Sequence, residues 1–255
     1  FCNEAKNGHY DAFVVVSDQC WRPCFNPFLT SMFLDFVKDD KEVKKIAYAA
    51  SLGTDTWDID DEDTTLCASL AQEFDLITVR EKNAVELCKK HLGVKAYHVL
   101  DPTMLLSKED YVSIVREEKE KQHSGTLFHY ILDPTSKKSS MISTIASELN
   151  LMPFTVMPKC QAENRTKKDV KNRIEDCVFP SVTNWLRGFM DAKMVVVDSF
   201  HGAVFSIIFN KPFWVIANEG RGNARFDSLL GLFHLENRFI KSLSNPDNRW
   251  DEPIE

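Results

Sequence analysis

A doubly wound α/β architecture, with two units sharing a cleft, is predicted by three observations. Short apolar, β-branched runs alternate with helical patterns along the whole chain. In the first half each run ends in a polar or charged cluster at Asp18, Ser51, Arg80 or Asp101. In an open parallel sheet, ligands bind outside the carboxyl ends of the strands, so these clusters are expected to converge on one rim. The alternation restarts after Ser124-Gly125, which places the domains at 1–124 and 125–255.

Asp11 to Val16 reads as the first strand and delivers Ser17, Asp18 and Gln19 ahead of Trp21-Arg22-Pro23. Pro27 to Val37 signals a helix, and Lys44 to Ala50 a second strand ending in Ser51-Leu52-Gly53. The acidic stretch Asp58 to Asp63 caps a helix expected to carry Leu66, Leu70 and Phe74 on one face. Leu76 to Val79 is a third strand, ending in Arg80 and Glu81. The helix from Lys82 stops at Gly93, and Tyr97 to Leu100 leads into Asp101-Pro102. Ser107 to Gln122, rich in Glu and Lys, reads as a solvated helix leading out of the first domain.

The second domain opens with a strand from Thr126 to Leu132 that ends in Asp133-Pro134. A helix from Ser139 to Leu149 and a strand from Pro153 to Met157 follow. The basic run Asn164 to Arg173 reads as a solvated face. Ser181 caps a helix reaching Met190. Met194 to Val197 is a buried strand and Ala203 to Phe209 an apolar helix, so the polar residues Asp198, Ser199 and His201 fall at their joint. The free N–H groups and positive dipole end of that helix favour an anion there, and Gly202 lets backbone come close. Phe213 to Ala217 is the next strand. It ends in Asn218, Glu219 and Gly220, with Arg221 and Arg225 in the loop before an apolar helix around Leu229, Leu230 and Leu232. The polar tail from Ser242 is expected on the surface.

Composition narrows the function. The 255 residues carry 31 Lys plus Arg against 38 Asp plus Glu, a net charge of −7, so no basic field gathers nucleic acid or an anionic membrane. Any anionic ligand has to be held locally. Hydrophobic residues make up 44%, enough to fill real cores. The seven cysteines are scattered without metal-ligand spacing and read as free thiols in a reducing cytosol. No apolar run approaches the roughly 20 residues that span a bilayer, and no signal peptide is evident. A cytoplasmic location is expected, with the inner face of the membrane as a peripheral station.

Asp198, Ser199 and His201 are the residue types of a hydrolase triad, but Val197 and His201 stand where a nucleophile elbow needs glycines. Three residues within four positions are also too close to form the nucleophile-base-orienter line. The bland reading makes His201 structural and Asp198 an N-cap. Asp58-Ile59-Asp60 has the Asp-x-Asp form that can hold a metal on a diphosphate, yet it precedes a helix and reads as an acidic cap. Asn164-Arg165-Thr166 fits a glycosylation acceptor, which means nothing without secretion. Neither GxGxxG nor a Walker A loop occurs, which disfavours a cradled dinucleotide or NTP. Arg80, Arg221 and Arg225 are each a salt-bridge partner or a fork for phosphate or carboxylate. Together with the helix N-terminus at His201 they would hold a small polyanion.

Five segments in order carry a resemblance: Asp11-Ala-Phe-Val-Val-Val-Ser-Asp-Gln-Cys-Trp21, Ile46-Ala-Tyr-Ala-Ala-Ser-Leu-Gly53, Thr78-Val-Arg-Glu81, Val99-Leu-Asp-Pro-Thr103 and Val197-Asp-Ser-Phe-His-Gly202. Over nearly the whole chain the sequence resembles the polysaccharide pyruvyl transferase family. The resemblance implies two Rossmann-like domains facing a cleft in a GT-B-like fold, acceptor side N-terminal and donor side C-terminal. It implies phosphoenolpyruvate as co-substrate, no cofactor and no metal. The acceptor would be a saccharide or lipid-linked saccharide of an envelope polysaccharide or exopolysaccharide, and the product a pyruvate ketal. Carried over by motif, Arg80, Ser199, Phe200, Gly202, Arg221 and Arg225 would hold the donor. Gln19, Ser51, Glu81, Asp101 and Glu219 would face the acceptor. His201 would protonate the enol, with Asp18 or Asp198 as base. Two departures stand out. Some members have arginine where this chain has Ser199, and members usually begin with a glycine-rich strand-to-helix turn, so the N-terminal domain is expected to lack its first strand-helix unit. The rival readings are a nucleotide-sugar glycosyltransferase of the same architecture and a non-catalytic carbohydrate-binding remnant.

Overall fold

In a computed structural model, residues 10–158, 174–242 and Trp250 are described. The basic run 164–173 and most of the tail lie outside them. The chain divides into two compact units. The first takes the residues up to Leu105 together with Glu219–Glu236, and the second takes Leu106–Asn218 and the residues from Asn237 onward.

The first unit holds a parallel sheet of β1 (Ala12–Val16), β2 (Lys44–Ala50), β3 (Leu76–Val79) and β4 (Tyr97–His98), in that spatial order. Asp60 caps α1 (Asp61–Ala71) by accepting from Asp63 N, and the acidic first turn suits the helix dipole. α2 (Lys82–Leu87) continues into a π turn, Cys88–Leu92, closed by Gly93 at φ 68°. The helix expected from Pro27 to Val37 is instead two short 3-10 turns, because Leu34 between them adopts a left-handed φ of 58°. On α1 the buried positions are Cys67 and Ala71, while Leu66 points outward. The small side chains let the helix sit close on the sheet. One face of the sheet, with Val15, Ala47, Ile77 and Val79, packs with these elements in a single core. On the other face Val14, Val16 and Leu76 remain exposed. This follows from the topology: strands laid down in sequential order by right-handed crossovers put their connections on one side. The described part of the first unit is thus wound on one face, not two.

In the second unit the order is β6 (Pro153–Phe154), β5 (Leu127–Tyr130), β7 (Met194–Val197), β8 (Phe213–Ile216) and β9 (Phe239–Ile240), all neighbours parallel. Here the order reverses between β5 and β7, the mark of a doubly wound sheet. α3 (Lys108–Glu117) starts from a capping box between Ser107 and Asp110. The sequence assigns this helix to the first domain; its Tyr111 ring meets Phe205 at 4.9 Å, within the second unit. α4 (Ser136–Glu148) is capped by Thr135 and α5 (Val182–Asp191) by Ser181. α6 (Phe200–Ile208) follows β7. Met141, Ile142 and Ile145 of α4 cover one side of the sheet with Leu127, Val196 and Trp214. Phe128, Trp185, Phe189 and Phe205 join ring to ring in a second cluster.

After β8 the chain returns to the first unit for Glu219–Glu236, which contains α7 (Ala224–Leu232). Gly222 makes the contact possible: at φ 84°, a Cβ there would lie 1.7 Å from the carbonyl oxygen of Gly53. Ser228 Oγ then accepts from Lys82 N at 3.0 Å, capping α2 from α7. Gly222→Ala combines a left-handed backbone with a clash against backbone. It is expected to cost about 1–3 kcal/mol and lower the thermal midpoint by several degrees; an unaltered melting curve would show that the segment is not seated this way.

Candidate functional site

At the carboxyl ends of the first sheet the four polar clusters do meet. The hub is Arg80, whose side chain is 1% exposed. Its Nη1 donates to Asp101 Oδ2 at 3.0 Å and to Ser17 Oγ at 3.1 Å, and its Nη2 donates to Asp18 Oδ1 at 3.1 Å. Ser17 Oγ closes the ring by donating to Asp101 Oδ2 at 2.6 Å. Asp101 Oδ1 also accepts from the Thr103 hydroxyl and N–H. Arg80 Nε lies 3.5 Å from Oε1 of Glu81, a fully buried carboxyl that accepts from Ser51 Oγ. Burial pushes the Glu81 pKa up, against the pull of Arg80 and the Ser51 bond.

Local backbone delivers these groups. Asp18 turns the chain after β1 at φ 68°, its carbonyl accepting from Cys20 N and Ser51 N. β2 is irregular between Ala47 and Ala50, with Ala49 at φ 53°. Thr78 Oγ1 fills the gap by accepting from Ala49 N and donating to Ala47 O. Gln19 is buried: its Oε1 accepts from Arg22 Nη1 at 2.9 Å, and its side chain packs beneath Gly53. Asp58 pairs with Arg22 at 3.5 Å, so the Asp-x-Asp motif supplies one ion pair and one helix cap.

Arg225, on α7, is the cation brought to this cluster from afar in sequence. It is buried, and its Nε donates to Gly222 O at 3.2 Å. Nη2 meets no acceptor among the described residues. Burial and the like charge of Arg80 lower its pKa to about 10, against attraction from Asp18 and Glu81, and Arg221 adds further repulsion. It therefore remains charged at neutral pH. A buried guanidinium with an unmet donor, in the field of a second guanidinium, has the chemistry to receive an added anion.

The second unit presents a different cluster. Asp198, fully buried at the end of β7, accepts from Leu132 N at 2.6 Å, Asp133 N at 3.2 Å, Lys138 Nζ at 2.7 Å and Asn218 Nδ2 at 3.3 Å. Lys138 Nζ also donates to Asp133 O at 3.0 Å, and Asn218 Nδ2 to Asp133 Oδ2 at 2.6 Å. The cap of α6 is Ser199, not Asp198: its Oγ accepts from Gly202 N at 3.0 Å. Phe200 is buried beneath, and a Cβ on Gly202 would strike Ser199 Oγ and the Val197 side chain. His201 stands half-buried in the first turn, edge-on to Phe200 at 5.5 Å. Of Glu219 only the backbone, in a 3-10 turn, is described.

The structure thus sorts the sequence candidates into two groups. Asp18, Gln19, Ser51, Arg80, Glu81, Asp101, Arg221 and Arg225 belong to the first unit; Asp198, Ser199, Phe200, His201 and Gly202 belong to the second. Sequence reasoning misses Ser17, Lys138 and Asn218 as site members. Lys138 lies in the polar run Ser136-Lys137-Lys138-Ser139-Ser140, which reads as solvated surface, and only its partner at the end of β7 reveals it. Asp198→Ala would leave two loop N–H groups without their acceptor and Lys138 without its carboxylate partner, with the Asp133 carbonyl still accepting from it. A loss of about 3–5 kcal/mol in stability is expected in denaturant unfolding, and a change below 1 kcal/mol would mean the network is dispensable.

Among the described residues, no group of three His, Cys, Asp or Glu side chains is placed to hold a metal ion. No helix among them is long and apolar enough to cross a membrane. No curated protein matches the chain. The family model for polysaccharide pyruvyl transferase matches residues 3–220, which takes in both clusters up to Gly220 and stops short of Arg221 and Arg225. On a match of that extent, the chain belongs to the polysaccharide pyruvyl transferase family.

Proposed function

We propose that the chain moves the enolpyruvyl unit of phosphoenolpyruvate onto two hydroxyls of a sugar, free or lipid-linked, closing a pyruvate ketal and releasing phosphate. Family membership supports the reaction class. The observation that carries the donor is the unmet Nη2 of Arg225, a buried cation beside Arg80. Phosphoenolpyruvate brings a phosphate and a carboxylate, the two groups an arginine fork receives best.

The chemistry follows from the donor. A proton reaches the methylene carbon, which becomes the methyl group, and the adjacent carbon becomes electrophilic. One sugar hydroxyl adds to that carbon and gives up its proton. A second hydroxyl displaces phosphate, and its proton leaves with the phosphate as the ketal closes. His201 is the proton donor in this reading, since it is half-buried at the start of α6 and an imidazole works as an acid near neutral pH. Asp198 already serves four donors, so it acts as a clamp for the 132–133 loop and not as the base. The side chain of Asp18, 73% exposed, is the carboxylate assigned here to receive a hydroxyl proton. Ser199, in the place of the arginine of other members, caps its helix.

Calorimetric titration with phosphoenolpyruvate, and in parallel with UDP-, GDP- and CMP-sugars, tests the donor. Saturable binding of phosphoenolpyruvate alone is expected; binding of a nucleotide sugar instead would point to glycosyl transfer. Arg225→Ala should weaken phosphoenolpyruvate by about 10- to 100-fold, the worth of a charge-assisted hydrogen bond, and an unchanged affinity would move the donor elsewhere. His201→Ala should lower turnover by roughly 10²- to 10⁴-fold while donor affinity stays within a few-fold, whereas turnover near wild type would remove His201 from the acid role.

A further inference from the structure

The carboxylates around Arg80 differ in one respect. The side chains of Asp101 and Glu81 are fully buried, whereas that of Asp18 is 73% exposed. Asp18 also holds a φ of 68°, a left-handed backbone that aspartate and asparagine tolerate better than most residues with a Cβ. Its main chain is pinned, because the carbonyl accepts from Cys20 N at 2.8 Å and Ser51 N at 3.1 Å. The contacts of its side chain include Oδ1 accepting from Gln19 N at 2.9 Å and from Arg80 Nη2 at 3.1 Å. Because that side chain opens to solvent, the carboxylate has room to rotate outward with no change in the backbone. The positive groups behind it cannot move so easily: Arg80 is tied to Asp101 and Ser17, and Arg225 is buried within the field of both Asp18 and Arg80.

We propose that Asp18 is a displaceable stand-in for the bound anion: without ligand its carboxylate occupies Arg80 Nη2, and a phosphate or carboxylate group takes that place as Asp18 swings outward. This rests on the reading that the donor anion is held at the Arg80 and Arg225 cluster. Displacement sets a threshold. A monoanion such as chloride exchanges one charge for one and gains little, while a dianionic phosphate gains the second charge and reaches the unmet Arg225 donor as well. Once released, the Asp18 carboxylate lies next to the bound donor, where an acceptor hydroxyl has to lose its proton.

The experiment is calorimetric titration of the full chain and its Asp18→Asn variant with phosphoenolpyruvate and with inorganic phosphate, at low and at high salt. Asparagine keeps an Oδ1 for Gln19 N, tolerates the left-handed backbone and removes the competing charge. Asp18→Asn should bind both probes about 2- to 5-fold tighter than wild type, the worth of a half-exposed ion pair, and because Arg80 is buried the gain should shrink at high salt without vanishing. Asp55→Asn, an equal charge change at an exposed position with no bond to Arg80, should leave affinity unchanged at high salt. Unchanged or weaker binding by Asp18→Asn would overturn the proposal, as would a gain equal to that of Asp55→Asn that vanishes with salt. Asp18→Gly, which relieves the backbone, supplies a second variant for the same comparison. If neither wild type nor variant binds phosphoenolpyruvate while both melt cooperatively, the placement of the donor itself fails, and the stand-in role with it.

Discussion

A buried guanidinium has to be neutralised where it sits, and in the first unit that requirement organises everything at the carboxyl end of the sheet. Arg80 follows β3, yet its bonds reach Ser17 and Asp18 after β1 and Asp101 after β4, while Glu81 beside it joins Ser51 after β2. The adjacent pair Arg80 and Glu81 therefore ties together four loops. Such a cluster is a poor device for stability alone, since desolvating charges offsets most of their attraction. It does hold a cation rigidly at the strand ends, and Arg225, from a distant segment, adds a second positive charge nearby.

The second unit inverts the pattern. There the buried centre is an anion, Asp198, surrounded by donors from the 132–133 loop, from Lys138 on α4 and from Asn218 after β8. One donor reaches its Oδ1 and three converge on its Oδ2, so it fixes the geometry of the segments around it. By satisfying the end of β7 it lets Ser199 take the cap of α6 and leaves His201 half-buried in the first turn. The same strand-end logic thus builds a cation held by acids in one unit and an acid held by donors in the other.

Much of this was legible beforehand. The strands of both sheets follow from runs such as Val14-Val15-Val16 and Met194-Val195-Val196-Val197, because a strand buried on one or both faces needs consecutive or alternating apolar residues whatever its partners. The caps at Asp60, Ser107 and Ser181 are local events between residues three apart, so they too can be read from spacing. The segment 27–37 was illegible because helical spacing does not reveal that Leu34 turns left-handed. The two-residue β9 is too short to carry a period.

The sequence by itself determined the family, from motifs spread over residues 3–220, and the alternation of elements and the polar residues at strand ends, from periodicity within about a dozen positions. Only the tertiary structure decided what those residues are for. Arg80 proved to be a hub and Asp198 a clamp because their partners lie 21 to 63 and 20 to 66 positions away. Arg225 reached the first unit because Gly222 can pack on Gly53, and among the described residues the helices of the first sheet lie on one face because its strands succeed one another in order. Partners, charge compensation and winding direction are set by which surfaces meet when the chain closes on itself, and no local pattern records that meeting.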